Sequence, residues 1–236
     1  MRGSVHTVIR WLGLAMVGGV ALSATPGVAA PRPTVFGGGV LARDDSGYLG
    51  ATVPFVSLGA ASSLAVRATI SASRYAYTSD TLGRIDGRET RGDVSLLYQL
   101  AYPDAYIDAG VGVRLVHTGL SPNDQGNSRR GDETEAVASV SGQRTMQAWR
   151  VAGFASYGFK IRDYYARAEL TRAVAPKLRL GGELTAEGDR TYDRVRYGAL
   201  LAVTGDPNWE IQFSAGAQEQ THRSGGYAGI AFRRSF

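Results

Sequence analysis

The most constraining feature of this sequence is an alternation of apolar and polar residues that recurs from about residue 34 to the end. In "IDAGVGVRL", residues 107–115, every second residue is apolar, whereas Asp108 and Arg114 fall on the opposite parity. This period of two is that of a β-strand with one apolar and one polar face. The alternation therefore predicts an all-β fold.

Clusters of Gly, Pro, Asn, Asp and Ser divide the alternating region into twelve predicted strands. These strands lie at about 34–43, 48–57, 64–77, 91–100, 105–118, 133–143, 148–159, 164–174, 178–186, 194–204, 209–218 and 226–236. The connections alternate between short turns, such as "AYPD", and a set that contains every long loop, including "TSDTLGRIDGRET" and "GLSPNDQGNSRRGD". This asymmetry predicts an antiparallel up-and-down transmembrane β-barrel of about 12 strands. The sheet closes because an open edge in hydrocarbon would leave backbone groups unpaired.

Residue parity does not say which face points inward, and a soluble secreted β-sandwich would place the apolar face inside. The strand count, the loop asymmetry and the terminal Phe236 favour a barrel whose apolar face meets lipid. Arg74, Arg172 and Arg234 break the pattern, but each lies near a strand end, where an arginine can reach the membrane interface. A charge at the bilayer midplane would cost about 2–4 kcal/mol.

The C-terminal segment "YAGIAFRRSF" has the features of a barrel assembly signal. Phe232 and Phe236 share the apolar parity, and the chain ends on an aromatic residue. Arg234 departs from that signal, where another apolar residue is usual. We expect outer-membrane lipid and the barrel assembly machinery as partners, with both chain ends on the periplasmic side.

The N-terminal residues predict export. Arg2 and Arg10 form a basic region before an apolar run that is followed by small residues, as in a secretory signal peptide. The run is about 14 residues, short of the roughly 20 that a membrane-spanning helix needs, and a retained membrane anchor is the alternative. We predict a signal peptide at 1–29, a barrel at 30–236 and a location in the bacterial outer membrane.

Composition argues against a nucleic-acid partner. The formal net charge is +5, but acidic residues are interspersed among the basic ones and no basic cluster stands alone. Export also separates the chain from nucleic acid. Cysteine is absent, which a secreted domain of this size tolerates.

The polar parity carries charges of both signs, which would point into the barrel. The predicted lumen-lining residues are Arg67, Asp93, Asp108, Arg114, Glu133, Glu135, Arg150, Arg167, Glu169, Arg179, Glu183, Arg194, Arg196 and Glu210. Their density predicts a lattice of ion pairs, which would either plug the lumen or line a narrow pore. Twelve strands lie between the eight that side chains fill and the sixteen or more that leave a channel.

Tyrosine and tryptophan near the predicted strand ends fit the interfacial girdles of a membrane barrel, with core aromatics as the alternative. These residues are Tyr48, Tyr75, Tyr77, Tyr98, Trp149, Tyr164, Tyr197 and Trp209.

The sequence predicts no catalytic, metal or cofactor site. Beyond the signal region the histidines are His117 and His222, and neither has an evident serine nucleophile with an orienting partner. No His, Cys or carboxylate cluster has metal-ligand spacing. An outer-membrane enzyme that acts on lipid or glycan through these histidines remains an alternative.

The segment "GVGVRLVHTGLSPNDQGNSRRGDETEAVASVSGQ" resembles the cellulose biosynthesis protein BcsS family of bacteria. The resemblance centres on a loop motif and extends to "VFGGGV", "WRVAGFASYG" and "SGGYAGIAF", so that it spans nearly the whole chain after the signal region. The motif residues are Leu120, Ser121, Pro122, Asn123, Asp124, Gly126, Asn127, Arg130 and Gly131.

This resemblance implies a non-enzymatic outer-membrane barrel that is accessory to cellulose biosynthesis or secretion. Components of the cellulose synthase and export complex, or cellulose itself, are the implied partners. A small general porin or narrow solute channel is the alternative. A neutral glucan prefers aromatic surfaces, and the predicted lumen is charged. We therefore expect any glucan contact at the loops around Tyr192 and 122–130 rather than in the lumen.

Overall fold

Twelve antiparallel strands form one closed barrel in the part of the chain that the computed structural model describes. The described residues are 32–79, 81–127, 129–205, 208–220 and 223–236. Each strand pairs with its neighbours in the chain, and the first strand pairs with the last. The predicted all-β, up-and-down barrel is therefore confirmed.

The observed strands follow the alternation of side chains, and they differ from the predicted strands mainly in length. The strands are β1 (Thr34–Leu41), β2 (Ser46–Ser57), β3 (Ser62–Ser79), β4 (Gly83–Ala101), β5 (Ala105–Ser121), β6 (Gly131–Met146), β7 (Trp149–Gly158), β8 (Tyr164–Ala175), β9 (Leu178–Gly188), β10 (Asp193–Gly205), β11 (Trp209–Gln220) and β12 (Arg223–Ser235). Within the described ranges, no helix is long and apolar enough to cross a bilayer. The predicted signal peptide, residues 1–29, and His222 lie outside these ranges.

The predicted long loop at 78–90 is wrong. β3 and β4 contain 18 and 19 residues, and they stay paired up to Ser79↔Gly83. About 9–11 residues suffice for a strand to cross a bilayer, so this hairpin projects well beyond the hydrocarbon. The outward residues Arg84, Asp86 and Arg88 are charged, and the apolar alternation that marks a strand within lipid is therefore missing there.

The apolar face of the sheet points outward and the charged face points inward. Val94 and Val111 are 58% and 66% exposed, whereas Asp108 and Arg114 are 2% and 5% exposed. The sheet thus presents an oily outer surface and an ionic interior, the reverse of a soluble sandwich.

The seam between β1 and β12 closes the barrel next to both described chain ends. Thr34 pairs with Ser235, and the backbone N–H of Phe236 donates to the carbonyl of Pro33 at 3.0 Å. Phe232, on the outward parity, and Phe236 are exposed, and the guanidinium of Arg234 lies 4.9 Å from the centre of the Phe236 ring. We call this the turn end of the barrel and the opposite end, which carries the loop at 122–130, the loop end.

The predicted girdle is correct for part of its members. Tyr98, Trp149, Tyr197 and Trp209 are exposed on the outer surface, and Arg172 lies 5.7 Å from the centre of the Trp149 ring. Arg172 and Arg234, two of the three strand-end arginines, therefore lie over aromatic rings instead of standing alone in hydrocarbon.

Three other girdle predictions need correction. Tyr48, Tyr75 and Tyr77 lie on the inward parity of β2 and β3 and border the central cavity. Tyr164 is on the outward parity of β8, and its hydroxyl donates a 2.6 Å hydrogen bond to Asp193. Position near a strand end does not by itself identify a girdle residue, because the side of the sheet matters as well.

Candidate functional site

A cavity of about 1260 Å³ occupies the lumen and extends from one end of the barrel to the other. Tyr102 and Asn208 border it at the turn end, and Asp124 and Asn127 border it at the loop end. The ion pairs of the interior therefore leave a large open space between them.

All fourteen residues predicted to line the lumen occupy inward positions of their strands. Those that border the cavity are Arg67, Asp93, Asp108, Arg114, Arg167, Glu169, Arg194, Arg196 and Glu210. Glu133, Glu135, Arg150, Arg179 and Glu183 lie outside the cavity lining. These five bind the wall together rather than border the open space.

One ionic network joins β7 and β8 to β11, which is three or more strands away. Arg150 pairs with Glu210. Gln212 donates to Glu210 at 2.9 Å and to Glu169 at 3.0 Å, and Arg167 donates to the side-chain oxygen of Gln212 at 3.1 Å. These contacts cross part of the lumen and fix the distance between β7–β8 and β11.

A second network lies toward the loop end around Arg114. Its guanidinium donates through Nε and Nη2 to both carboxylate oxygens of Asp93, at 2.8 and 2.9 Å, and through Nη1 to Asp163 at 2.8 Å. Arg91 donates to the same Asp163 oxygen at 2.6 Å and to Glu89 at 2.5 Å. Asp163 follows β7 in a connecting loop, so this loop inserts its carboxylate between two strand arginines.

Arg129 fastens the 122–130 loop to the barrel mouth. Its guanidinium pairs with Glu89 of β4 at 2.7 Å and with Asp189 of the loop that follows β9. A third loop makes a similar contact, because Asp44, after β1, accepts a 2.7 Å hydrogen bond from Arg194 of β10. Loops thus cover the loop end through buried charges.

The 122–130 loop also holds Tyr77 of β3. The Tyr77 hydroxyl donates to Asp124 at 2.8 Å and accepts from the side-chain amide of Asn127 at 2.9 Å. Both loop residues belong to the predicted motif, and their side chains serve to bind the loop to the sheet.

The remaining motif residues shape the loop itself. Arg130 donates to the Asn123 side chain at 2.9 Å across the loop, in an exposed position. Gly131 has a φ of +93°, which favours glycine, and Pro122 begins the loop directly after β5.

The described lining of the cavity includes eleven aromatic residues, which the charged parity of the sequence did not suggest. They are Phe36, Tyr48, Tyr75, Tyr77, Tyr102, Tyr106, Phe154, Tyr164, Tyr165, Tyr192 and Phe232. The expectation that the lumen is charged instead of aromatic is therefore wrong: it is both. Phe36, Tyr106, Phe154 and Tyr165 share the parity of the lumen charges, and that shared parity is the signal that identifies them.

Tyr192 was expected at an outer loop and instead borders the cavity from the loop before β10. The guanidinium of Arg194 lies 5.6 Å from the centre of its ring. Burial raises the pKa of Tyr192 to about 12, so its hydroxyl stays protonated at neutral pH.

His117 lies on the outer surface of β5, where Nδ1 is 2.6 Å from the carboxylate of Asp132 and both side chains are exposed. It is thus on the opposite side of the sheet from the cavity. In the described part of the chain, no group of three His, Cys, Asp or Glu side chains is arranged to hold a metal ion.

The sequence of the whole described barrel matches one protein family. The model of the cellulose biosynthesis protein BcsS family aligns with residues 34–236. This chain belongs to the BcsS family. The proposed likeness at the 122–130 loop is thereby confirmed, and the BcsS-family barrel is related to cellulose biosynthesis. None of the curated protein sequences matches it.

Solved structures similar to the BcsS-family barrel are outer-membrane proteins. An outer-membrane channel from Pseudomonas putida F1 is 13% identical, with a TM-score of 0.53 over 91% of this chain and 100% of that one. The translocator domain of the autotransporter NalP from Neisseria meningitidis is 11% identical, with a TM-score of 0.52 over 98% and 96% of the two chains. At this identity the likeness shows the fold alone, which is that of outer-membrane barrels.

Proposed function

We propose that this protein is a non-enzymatic barrel of the outer membrane that assists cellulose secretion, in association with the cellulose synthesis and export machinery. The observation that carries the proposal is the family match over residues 34–236, which covers the whole barrel. Outer-membrane lipid surrounds the barrel, and the assembly machinery inserts it through the segment that contains Phe232 and Phe236.

The arrangement of the inner charges supports a structural rather than a chemical role for them. Arg150, Arg114 and Arg167 each hold at least one carboxylate in a direct ion pair. A carboxylate whose oxygens already accept hydrogen bonds from an arginine is less available to a substrate.

Deletion of the gene in a cellulose-producing host tests the proposal. We expect the deletion strain to release less glucose from its extracellular material on cellulase digestion, and a plasmid copy of the gene to restore the amount. Unchanged cellulose in a strain that makes it abundantly would refute the accessory role.

A narrow channel is the second candidate, and the cavity that reaches both ends of the barrel favours it. Purified protein in a planar lipid bilayer should then give discrete conductance steps. A bilayer that stays silent while gel mobility shows folded protein would exclude this candidate.

A further inference from the structure

Two pairs of aromatic side chains stand on opposite walls of the lumen. Phe36 of β1 and Tyr48 of β2 have ring centres 6.4 Å apart, and Phe154 of β7 and Tyr165 of β8 have ring centres 5.9 Å apart. In a closed barrel of twelve strands, β1 and β2 lie six strands from β7 and β8, which is half the circumference. The two pairs therefore face each other across the cavity.

The facing rings converge near one arginine. Tyr48 lies close to Tyr165 and to the guanidinium of Arg167, which is itself paired with Glu183 at 2.6 Å. Tyr48 is 37% exposed although it points inward, so its ring faces open cavity instead of packed protein. Ring faces and a guanidinium with a fixed partner thus border the same space.

A glycine in the neighbouring strand makes room for the Phe36–Tyr48 pair. A Cβ atom on residue 50 would lie 2.6 Å from the Phe36 ring, so the ring packs directly on the backbone of Gly50. The geometry of this pair therefore depends on a glycine in the neighbouring strand, which holds the ring in place before any ligand arrives.

Charge balance indicates the kind of ligand. The described lining of the cavity contains ten arginines and eleven Asp or Glu side chains. A polyanion or a polycation would meet repulsive charges along much of such a surface. A neutral molecule with many hydroxyl groups can instead hydrogen-bond to both signs of charge.

The chemistry of the rings points to a sugar. The C–H faces of a pyranose pack on the negative face of an aromatic ring, while the hydroxyl groups at its edge remain free for hydrogen bonds. Two ring pairs surrounded by guanidinium and carboxylate groups satisfy both requirements.

Ion pairs and hydrogen bonds cross the lumen toward both ends of the barrel. Asp44, Arg129 and Asp163 bind their loops across the loop end through ion pairs. At the turn end, Arg150 pairs with Glu210, and Arg233 lies 3.4 Å from Tyr106 and 3.4 Å from Gln143. The two ring pairs lie on strands that run between these two sets of contacts.

We propose that the lumen binds a neutral β-glucan oligosaccharide, which stacks between the Phe36–Tyr48 and Phe154–Tyr165 pairs. The choice of glucan rests on the proposed role in cellulose secretion; the choice of a neutral sugar rests on the cavity.

Calorimetric titration of the full purified barrel in lipid nanodiscs with cellohexaose tests this site. We expect saturable binding by the wild type and binding weaker by about tenfold in Tyr48→Leu and in Phe154→Leu. Leucine keeps apolar bulk but removes the ring face. Tyr197→Leu is the matched control, because Tyr197 is exposed on the outer surface, and its affinity should equal that of the wild type.

The variants must be folded for the comparison to count, and the shift in gel mobility between unheated and boiled samples shows this. A wild type that does not bind cellohexaose, or a Tyr48→Leu and Phe154→Leu pair with unchanged affinity, would overturn the site. Tighter binding of an oligogalacturonate than of cellohexaose would overturn its neutral character.

The accessory role and the lumen site can be refuted independently of each other. If deletion of the gene lowers cellulose but the protein does not bind cellohexaose, the accessory role stands and the lumen site is refuted. If the protein binds cellohexaose through these rings but deletion leaves cellulose unchanged, the site stands and the accessory role is refuted.

Discussion

At the scale of the residue, Arg114 pairs with carboxylates from two different parts of the barrel. It is 5% exposed and holds Asp93 with two hydrogen bonds and Asp163 with a third. A buried pair adds little net stability over an apolar alternative, but removal of one partner leaves the other charge buried and unpaired. Arg114 therefore supplies the positive charge with which two buried carboxylates pair.

Substitution of Arg114 measures that dependence. We expect Arg114→Ala to lower the free energy of unfolding by about 3–5 kcal/mol. Arg84→Ala is the control, since Arg84 pairs with Asp86 with both side chains mostly exposed, and it should cost about 0–1 kcal/mol. Urea titration followed by folded-state gel mobility gives both values, and equal midpoints would contradict the prediction.

Residues also show where sequence reasoning succeeds and where it does not. The parity of Asp108 and Arg114 follows from alternation alone, because a strand allows only two directions for a side chain. Asp163 and Arg129 were not foreseen, because their partners come from distant strands and meet only when the barrel closes. Phe154 was overlooked because charges dominated its parity.

At the scale of the element, the 122–130 loop is a cover fastened by side chains. Arg129 joins it to β4 and to the loop after β9, and Asp124 and Asn127 join it to β3. The loop therefore covers the cavity at the loop end, and its position depends on a few polar contacts.

Loss of the main contact should open the loop end. We expect Arg129→Ala to raise the single-channel conductance above that of the wild type in planar bilayers. Arg130→Ala is the control, because the exposed Arg130 contacts Asn123 within the loop, and its conductance should match the wild type. If Arg129→Ala and the wild type conduct equally, the loop does not limit passage.

The β3–β4 hairpin is the element that the sequence described least well. The outward face of its outer half carries charges at Arg84, Asp86 and Arg88, and alternation is informative only where one face meets hydrocarbon. The turns at the other end, by contrast, were placed within a few residues, since Gly, Pro and Asp interrupt the pattern there.

Epitope insertion tests which end of the hairpin lies outside the cell. A tag inserted between Leu82 and Gly83 should bind antibody on intact cells, whereas a tag between Pro103 and Asp104 should bind only after permeabilisation. Labelling of the second tag on intact cells would invert the orientation of the barrel.

At the scale of the whole molecule, lipid contact depends on an outer surface without charges at its waist. Val111, on the outward face of β5, is 66% exposed and flanked by apolar neighbours, whereas Arg172 and Arg234 lie near the turn end. This distribution follows from the cost of placing a charge in hydrocarbon.

A charge introduced at the waist should reveal that cost. We expect Val111→Arg to lower the free energy of unfolding in lipid by about 2–4 kcal/mol, and Val174→Arg, next to the turn end, by about 0–1 kcal/mol. Denaturant titration in phospholipid vesicles provides the comparison. Equal losses at the two depths would mean that Val111 does not face the bilayer core.

The contacts of Arg150, Glu210 and Gln212 across the lumen have one more consequence. Dissolved ions weaken attractions between charges at a wet surface, but they reach enclosed ones far less. The exposed contact between Arg84 and Asp86 will therefore weaken as the salinity of the surroundings rises. We therefore expect the width of the lumen to be the same at low and at high salt.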